Sequence, residues 1–577
     1  MALGPVPHRY KRHSFSARVD GIGLSPARNL NRTWFGIDAI CGNLVHEERQ
    51  SIPPRPTNAP LPIAHSQRLC QMTFTSITFL IFLPLVFMLH WAGQSRRWQN
   101  SLLVLASYLF YGWWDYRFCG LMVLSSLVDY GLGIYVANAK TQSQRKWALT
   151  TSVVCNLGLL GFFKYCNFFS DSLVGALGAM GWTVHPLMSE ILLPVGISFY
   201  TFQTLSYTID IFRGKLQPTT NLIDYLAFVS FFPQLVAGPI ERATNLIPQF
   251  SRARTFSNDQ AVEGCRTILW GFAKKLIIAD HLAVCVDAIY ANPGDVSGLS
   301  LLIGTVFFAW QIYCDFSAYS DIAIGTAKLF GINLMQNFNY PYLSQSVTEF
   351  WRRWHISLST WFRDYVFIPL GGSQGTRNET YRNLMITFVL SGLWHGAAWR
   401  FIIWGAINGA ALVVEKAIRS SVEKDGSRQR LISGHLLNPD ADQRNRDKTS
   451  FAGQAALQAM LRMTYTFSVI CLGWVFFRAS TSAEAFMILS KIVTIPLYDL
   501  NASAWKAALA THPSMEKMLF VLIGYSLLEW MISVSRVSVH FLQWPTPARW
   551  AVFTIVIWGT IQFTLTTETN PFIYFQF

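Results

Sequence analysis

Asn383-Leu-Met-Ile-Thr-Phe-Val-Leu-Ser-Gly-Leu-Trp-His395-Gly-Ala-Ala-Trp399-Arg-Phe-Ile-Ile-Trp-Gly-Ala-Ile-Asn-Gly-Ala-Ala-Leu-Val-Val414 is apolar enough for lipid, yet a histidine and several glycines interrupt it. Continued to Lys416 as one helix it would be about 50 Å long at 1.5 Å per residue, too long for one straight crossing and too short for two. A broken or strongly tilted helix fits better. The break is expected around Gly392, Gly396 and Gly405, where missing side chains let backbones approach. Irregular backbone at membrane depth survives only when buried in protein or lining a water-filled cavity, so His395 is expected to face a cavity. An ionisable group at that depth is costly and usually functional.

The whole chain has the composition that such a stretch requires. It is 51% hydrophobic, 15% aromatic and only 14% charged over 577 residues, too little charge to clothe a soluble globule. The reading is an all-α polytopic membrane protein with about ten to twelve transmembrane or re-entrant segments, each near the length a bilayer demands. Predicted spans include Ser101 to Tyr116, Phe118 to Val136, Trp147 to Phe169, Ile268 to Tyr290 and Leu301 to Phe330. The net charge of +14 does not mark a nucleic-acid binder, because Lys and Arg lie in short loops between spans, as the positive-inside rule expects. Arg96-Arg97, Lys140 to Lys146, Arg213 to Lys215 and the insert from Arg419 to Lys448 therefore read as cytoplasmic. Ser170 to Glu190 and Asn292 to Ser297 contain no Lys or Arg and read as facing the other side. Leu222 to Ala237 has basic residues at both ends and is expected to be re-entrant.

Residues 1 to 71 carry nine Lys or Arg against four Asp or Glu, a Pro-rich run and no span. They read as a disordered basic extension, with Met72 as an alternative start, ahead of a membrane domain from 72 to 577. A polar cytoplasmic insert at about 419 to 454 interrupts that domain. The nine cysteines are scattered without a C-x-x-C pair and read as small apolar residues. No metal-ligand spacing occurs.

From Trp351 to Val366 the large apolar residues Trp351, Trp354, Leu358, Trp361, Phe362 and Tyr365 recur at helical period, with Arg353, Ser357, Thr360 and Asp364 opposite. This predicts one amphipathic helix. His355 within it is either a structural histidine or a catalytic one. His395 has the ordinary chemistry of a general base, a neutral imidazole able to take a proton near neutral pH; its bland alternative is a buried ring bonded to a carbonyl. Gly371-Gly-Ser373-Gln-Gly375 spells a nucleophile elbow, but the required strand–turn–helix setting is missing, so it reads as a Gly-rich loop. The charged pair Glu241-Arg242 after Gly238-Pro239 has two readings, an anion-binding corner or a loop anchor. Asp315 and Asp321, with Ser317, Tyr319 and Ser320, need partners inside an apolar span and read as helix glue.

Four blocks resemble the membrane-bound O-acyltransferases, and within them the bacterial branch that O-acetylates alginate. They are Phe231-Phe-Pro-Gln-Leu-Val-Ala-Gly-Pro-Ile240, Tyr313-Cys-Asp-Phe-Ser-Ala-Tyr-Ser-Asp-Ile-Ala-Ile-Gly325, the long block from Asn337 through Glu349-Phe-Trp-Arg-Arg-Trp-His355 to Trp361, and Leu390 to Trp399. The likeness runs from about Met72 to Phe577, departing at Ala318, where a glycine is usual, and in the first 71 residues. It implies a ring of helices around a central funnel in the bacterial inner membrane. His395 is then the catalytic residue, and His355 is essential or supportive. The donor is acetyl-CoA, used as a substrate with no permanently bound cofactor or metal. The acetyl group passes to an extracytoplasmic protein that modifies a polysaccharide. Arg352, Arg353 and Arg242 are the expected holders of the donor's phosphates.

Three other readings stay open on the sequence: D-alanyl transfer to teichoic acid from a carrier protein, O-acylation of a membrane-embedded lipid alcohol, and a transporter without chemistry. The transporter would be expected to show paired half-repeats and intramembrane ion sites, and the sequence shows neither.

Overall fold

The computed structural model describes residues 72–577 except 186–190, 237, 434–446, 497–500, 536–542, 567–569 and 574–577. The expected extension at 1 to 71 and most of the insert at 419 to 454 lie outside the described residues or their side chains. Every regular element among the described residues is helical. Helix starts follow local chemistry: Ser95, Thr141, Ser297 and Thr376 each turn a side-chain oxygen onto a first-turn N–H, satisfying donors that lipid could not.

Large apolar side chains face outward as well as into the core, and several polar ones are buried. Ile77, Leu80, Ile81, Leu85 and Leu105 are exposed, whereas Gln99, Asn100, Asp129 and Asn156 are buried. Such an arrangement suits hydrocarbon outside and hydrogen-bonded helix contacts inside. Asp129 shows the pattern: it accepts from Ser152 Oγ at 2.5 Å and Asn156 Nδ2 at 2.7 Å, joining two neighbouring helices.

Five helices among the described residues are individually long and apolar enough to cross a membrane: Arg96–Asn138, Gln142–Ala179, Gly298–Leu329, Trp399–Ser421 and Gln454–Arg478. The ten to twelve segments expected also take in shorter pieces such as Ile77–Ala92, Ile197–Phe212 and Leu222–Ser230. Two spans expected at Ser101 to Tyr116 and Phe118 to Val136 form one helical unit of 43 residues, kinked where Asp115 leaves helical geometry at φ −162°. The Asp115 carboxylate accepts from the Arg117 N–H at 2.9 Å and pairs with its guanidinium, a local bond that competes with the helix ladder. The expected re-entrant stretch is a helix of nine residues, Leu222–Ser230, followed by one turn, Phe232–Leu235. Neither is long enough to span.

Gly298–Leu329 lies at the centre and is buried along most of its length. It presses against Asn258–Ala273 through glycines: a Cβ on Gly325 would sit 2.6 Å from the Gly264 carbonyl oxygen. The polar cluster on this helix finds its partners there. Lys275 pairs with Asp315 at 2.6 Å and Asp280 at 2.8 Å, and Lys274 pairs with Asp321 at 2.7 Å and reaches Ser317 at 2.8 Å. The glue expected of Asp315 and Asp321 is therefore ionic.

The stretch from Asn383 to Val414 is broken, as expected, rather than one tilted helix. Arg377–His395 runs in, the chain leaves helical geometry at Gly396 (φ −159°), and a second helix starts at Trp399. The two pack closely as a hairpin: a Cβ on Gly392 would lie 2.1 Å from the Phe401 carbonyl oxygen, and one on Gly405 2.3 Å from that of Phe388. Of the three glycines, Gly396 makes the break, while Gly392 and Gly405 let the arms touch.

The single amphipathic helix expected from Trp351 to Val366 is corrected by the structure. Val347–Arg353 ends before Trp354, His355 adopts left-handed φ 43° and ψ 55°, and Ile356–Phe362 starts anew. Ser357, placed by periodicity on the polar face, is completely buried. The reason is tertiary: the Ile356 N–H donates to the Asn337 carbonyl at 2.9 Å and the Asn339 N–H to the Arg353 carbonyl at 2.9 Å. These two bonds take the backbone partners that a continuous helix would use.

Candidate active site

The hairpin turn and the left-handed corner bring the two histidines together. Their ring centroids are 6.4 Å apart, and His355 and His395 are only 1% and 7% exposed. His395 closes its helix at the tip of the hairpin, ring edge-on to Trp394, Trp404 and Phe477 at centroid distances of 5.1, 5.0 and 5.5 Å. That aromatic casing fixes the imidazole plane.

The turn that carries His395 is also clamped from both sides. On a π-helical turn of the neighbouring span, Lys164 Nζ donates to the Trp394 carbonyl, and Tyr165 Oη donates to that of Leu393 at 3.0 Å. These are carbonyls that a helix end leaves without intrahelical partners. On the other side Arg400 donates to the carbonyls of Phe477 and Ala479.

Both histidines line one cavity of about 750 Å³, a size suited to a small-molecule substrate. Its wall carries Thr348, Ser359, Thr360, Thr387 and Ser391, and its cations are Arg352, Arg363, Lys416 and Arg419. Lys416 and Arg419 are exposed, so the cavity joins a buried, aromatic-cased imidazole to a solvent-facing basic rim. Counted along the helix axis, Trp404 beside His395 and Arg419 are about 22 Å apart at 1.5 Å per residue.

The structure thus gathers His395, His355 and Arg352. It does not bring Arg353 or Arg242 to this cavity. Arg353 turns to Glu349 at 2.6 Å, and Arg242 pairs with Asp364 at 3.4 Å while lying over the Tyr365 ring at 4.6 Å. The corner before Arg242 is an anchor: the buried Glu241 carboxylate accepts from the Met335 N–H at 2.5 Å and Asn245 Nδ2 at 2.7 Å. Ser373 of the Gly-rich loop accepts from Lys416 Nζ at 3.1 Å, and its neighbours Gly371 and Gly372 have φ 106° and 57°. No strand lies among the described residues to make it an elbow. Among them there is also no group of His, Cys, Asp or Glu able to hold a metal ion.

Sequence reasoning misses Arg363, Lys416 and Arg419. By charge alone Lys416 and Arg419 belong to a cytoplasmic loop, although their i, i+3 spacing puts them on one face of a helix end. Lys164 is missed too, and its signal is plain: a lysine inside the predicted span Trp147 to Phe169 needs a specific partner.

A profile of the MBOAT, membrane-bound O-acyltransferase, family matches residues 213–440, which include both histidines. The chain is 43% identical over 437 residues to a probable alginate O-acetylase of Azotobacter vinelandii, covering 74% of this chain and 80% of that one. It is 32% identical over 450 residues to a peptidoglycan O-acetyltransferase of Helicobacter pylori, covering 73% and 79%. A teichoic acid D-alanyltransferase of Bacillus subtilis is 32% identical over 232 residues, covering 38% and 58%. With a multi-pass helical architecture and two buried histidines on one cavity, the chain belongs to the membrane-bound O-acyltransferase family and is an O-acyltransferase.

Proposed function

We propose that this enzyme moves an acetyl group from acetyl-CoA, bound at the cytoplasmic basic rim, to the hydroxyl chemistry of an exopolysaccharide of the alginate type, through an extracytoplasmic partner at the bacterial inner membrane. The observation that carries this is the shared cavity: cations at its exposed end and two buried imidazoles at the other. A thioester donor with a phosphate-rich tail has matching ends. Arg352, Arg363, Lys416 and Arg419 would meet its phosphates, and the positive-inside rule puts such a rim on the cytoplasmic side.

In this scheme His395 takes the proton of the acceptor hydroxyl as the oxygen attacks the thioester carbonyl carbon. The carbon–sulfur bond then breaks, and the thiol leaves with that proton. His355, across the 6.4 Å gap, positions the acceptor. The aromatic casing keeps bulk water from the thioester, which would otherwise hydrolyse. The long match to an alginate relative against the short match to a D-alanyltransferase favours acetyl transfer over D-alanylation. The peptidoglycan relative supports a second polymer acceptor.

The test is transfer of labelled acetyl from acetyl-CoA, supplied to inside-out membrane vesicles, together with the ester content of secreted polysaccharide in a strain carrying or lacking the gene. Label appearing only when acetyl-CoA reaches the cytoplasmic face supports the scheme. Unchanged polysaccharide acetylation in the deletion strain rejects it.

A further inference from the structure

Asn337 opens the long block that contains His355, and its side chain is 1% exposed. Its Oδ1 stands 3.1 Å from His355 Nδ1, 3.2 Å from the Ser357 backbone N and 2.9 Å from Ser357 Oγ. A backbone N–H can only donate, so the amide orientation is set by Ser357: the atom facing His355 is the oxygen. The other end agrees, since Asn337 Nδ2 donates to Ser320 Oγ at 3.2 Å. An amide oxygen can only accept, hence His355 Nδ1 carries the proton. Ser357 offers no competing arrangement, because its hydroxyl already accepts from the Ile240 N–H at 3.0 Å and places its one proton on Asn337 rather than on Nδ1, 3.5 Å away.

We propose that Asn337 is a positioning residue that locks His355 in the Nδ1–H tautomer, so that proton exchange with a molecule in the cavity runs through Nε2. This rests on the reading of His355 as part of the acyl-transfer site. The left-handed backbone at His355 and the Ile356 N–H bond to the Asn337 carbonyl at 2.9 Å belong to the same device. Asn337 holds the corner with its main chain and the ring with its side chain. A neutral Nδ1–H imidazole presents a lone pair at Nε2. His355 therefore accepts a proton or a hydroxyl hydrogen from the substrate side and becomes a donor to a carbonyl only once protonated.

The experiment is the nitrogen spectrum of [15N]histidine-labelled full-length protein in detergent micelles above the imidazole titration range, with the His355 signals identified by their loss in His355→Gln. The expected wild-type spectrum has a protonated Nδ1 and an unprotonated Nε2. Asn337→Ala should give a mixture of tautomers and a fall in acetyl transfer of about 10- to 100-fold, the size seen when the partner that orients a metal-bound histidine is lost. Asn337→Asp, which keeps an acceptor at the same place, should restore the single tautomer and most of the activity. A protonated Nε2 in the wild type, or an unchanged tautomer in Asn337→Ala, overturns the proposal. If Asn337→Ala fails to fold, the wild-type and Asn337→Asp spectra still decide. Because the spectrum reads no acyl transfer, a wrong donor or acceptor would leave the tautomer result intact.

Discussion

His395 and His355 sit in different surroundings, and substitutions should report it. His395 packs against Trp394, Trp404 and Phe477, and His355 Nδ1 bonds to Asn337. His395→Ala is expected to insert normally and to lose about 10² to 10⁴ in transfer rate, the range for a missing general base. Near-normal acetylation by a well-expressed variant would remove it from that role. The cations give a sharper contrast. Lys416→Ala and Arg419→Ala are expected to raise KM for acetyl-CoA several-fold with kcat nearly unchanged, as for contacts made equally in ground and transition states. Arg353→Ala and Arg242→Ala should leave that KM where it is, since their charges are paired outside the cavity; a matching rise in either would restore the sequence-based assignment. That His395 faces a cavity was legible, because an ionisable residue among glycines in an apolar stretch is costly to keep without an enclosed polar setting. Choosing Arg352 over Arg353 was not, because that depends on which way a short helix turns, and the break at His355 sets it.

At the scale of elements, the hairpin was half legible. Its length and glycines announced an interruption, but only the contact between its arms shows why Gly392 and Gly405 are bare. Gly392→Val is expected to destabilise by about 1–3 kcal/mol or more, as overpacking does, because the added carbons meet the Phe401 backbone rather than a movable side chain. Gly158→Ala in the neighbouring span, where a Cβ meets nothing within 4 Å, is the control and should melt with the wild type. Detergent-solubilised thermal unfolding measures both, and equal midpoints would deny the close approach. The corner at His355 was not legible. Helical periodicity across Trp351 to Val366 is genuine, yet bonds from Asn337 and Asn339, residues distant in sequence from the second half of that stretch, win over it. The lysine partners of Asp315 and Asp321 were hidden for the same reason, since pairing between helices leaves no trace in the period of either one.

For the whole molecule, the direction of transfer depends on which face the basic rim occupies. Under the positive-inside rule Lys416, Arg419 and Arg353 are expected on the cytoplasmic side, and the Lys- and Arg-free stretch Ser170 to Glu190, which the sequence read as a loop but whose first part closes the helix Gln142–Ala179, is expected outside. The fold supplies the shielding: His395, at the tip of its hairpin, is 7% exposed. Single cysteines at Ser172, Arg353 and His395, in a background with the nine native cysteines replaced, should therefore differ in access to a membrane-impermeant thiol reagent. Ser172→Cys should label in intact cells. Arg353→Cys should label only after the cytoplasmic face is opened, and His395→Cys poorly under either condition, because the aromatic casing shields it. Labelling of Arg353→Cys in sealed cells would put the rim outside, and an acyl-CoA confined to the cytoplasm could then not reach it. Ready labelling of His395→Cys from outside would instead mean that the cavity opens toward the acceptor side, leaving the rim's orientation intact but removing the barrier that protects the thioester from water.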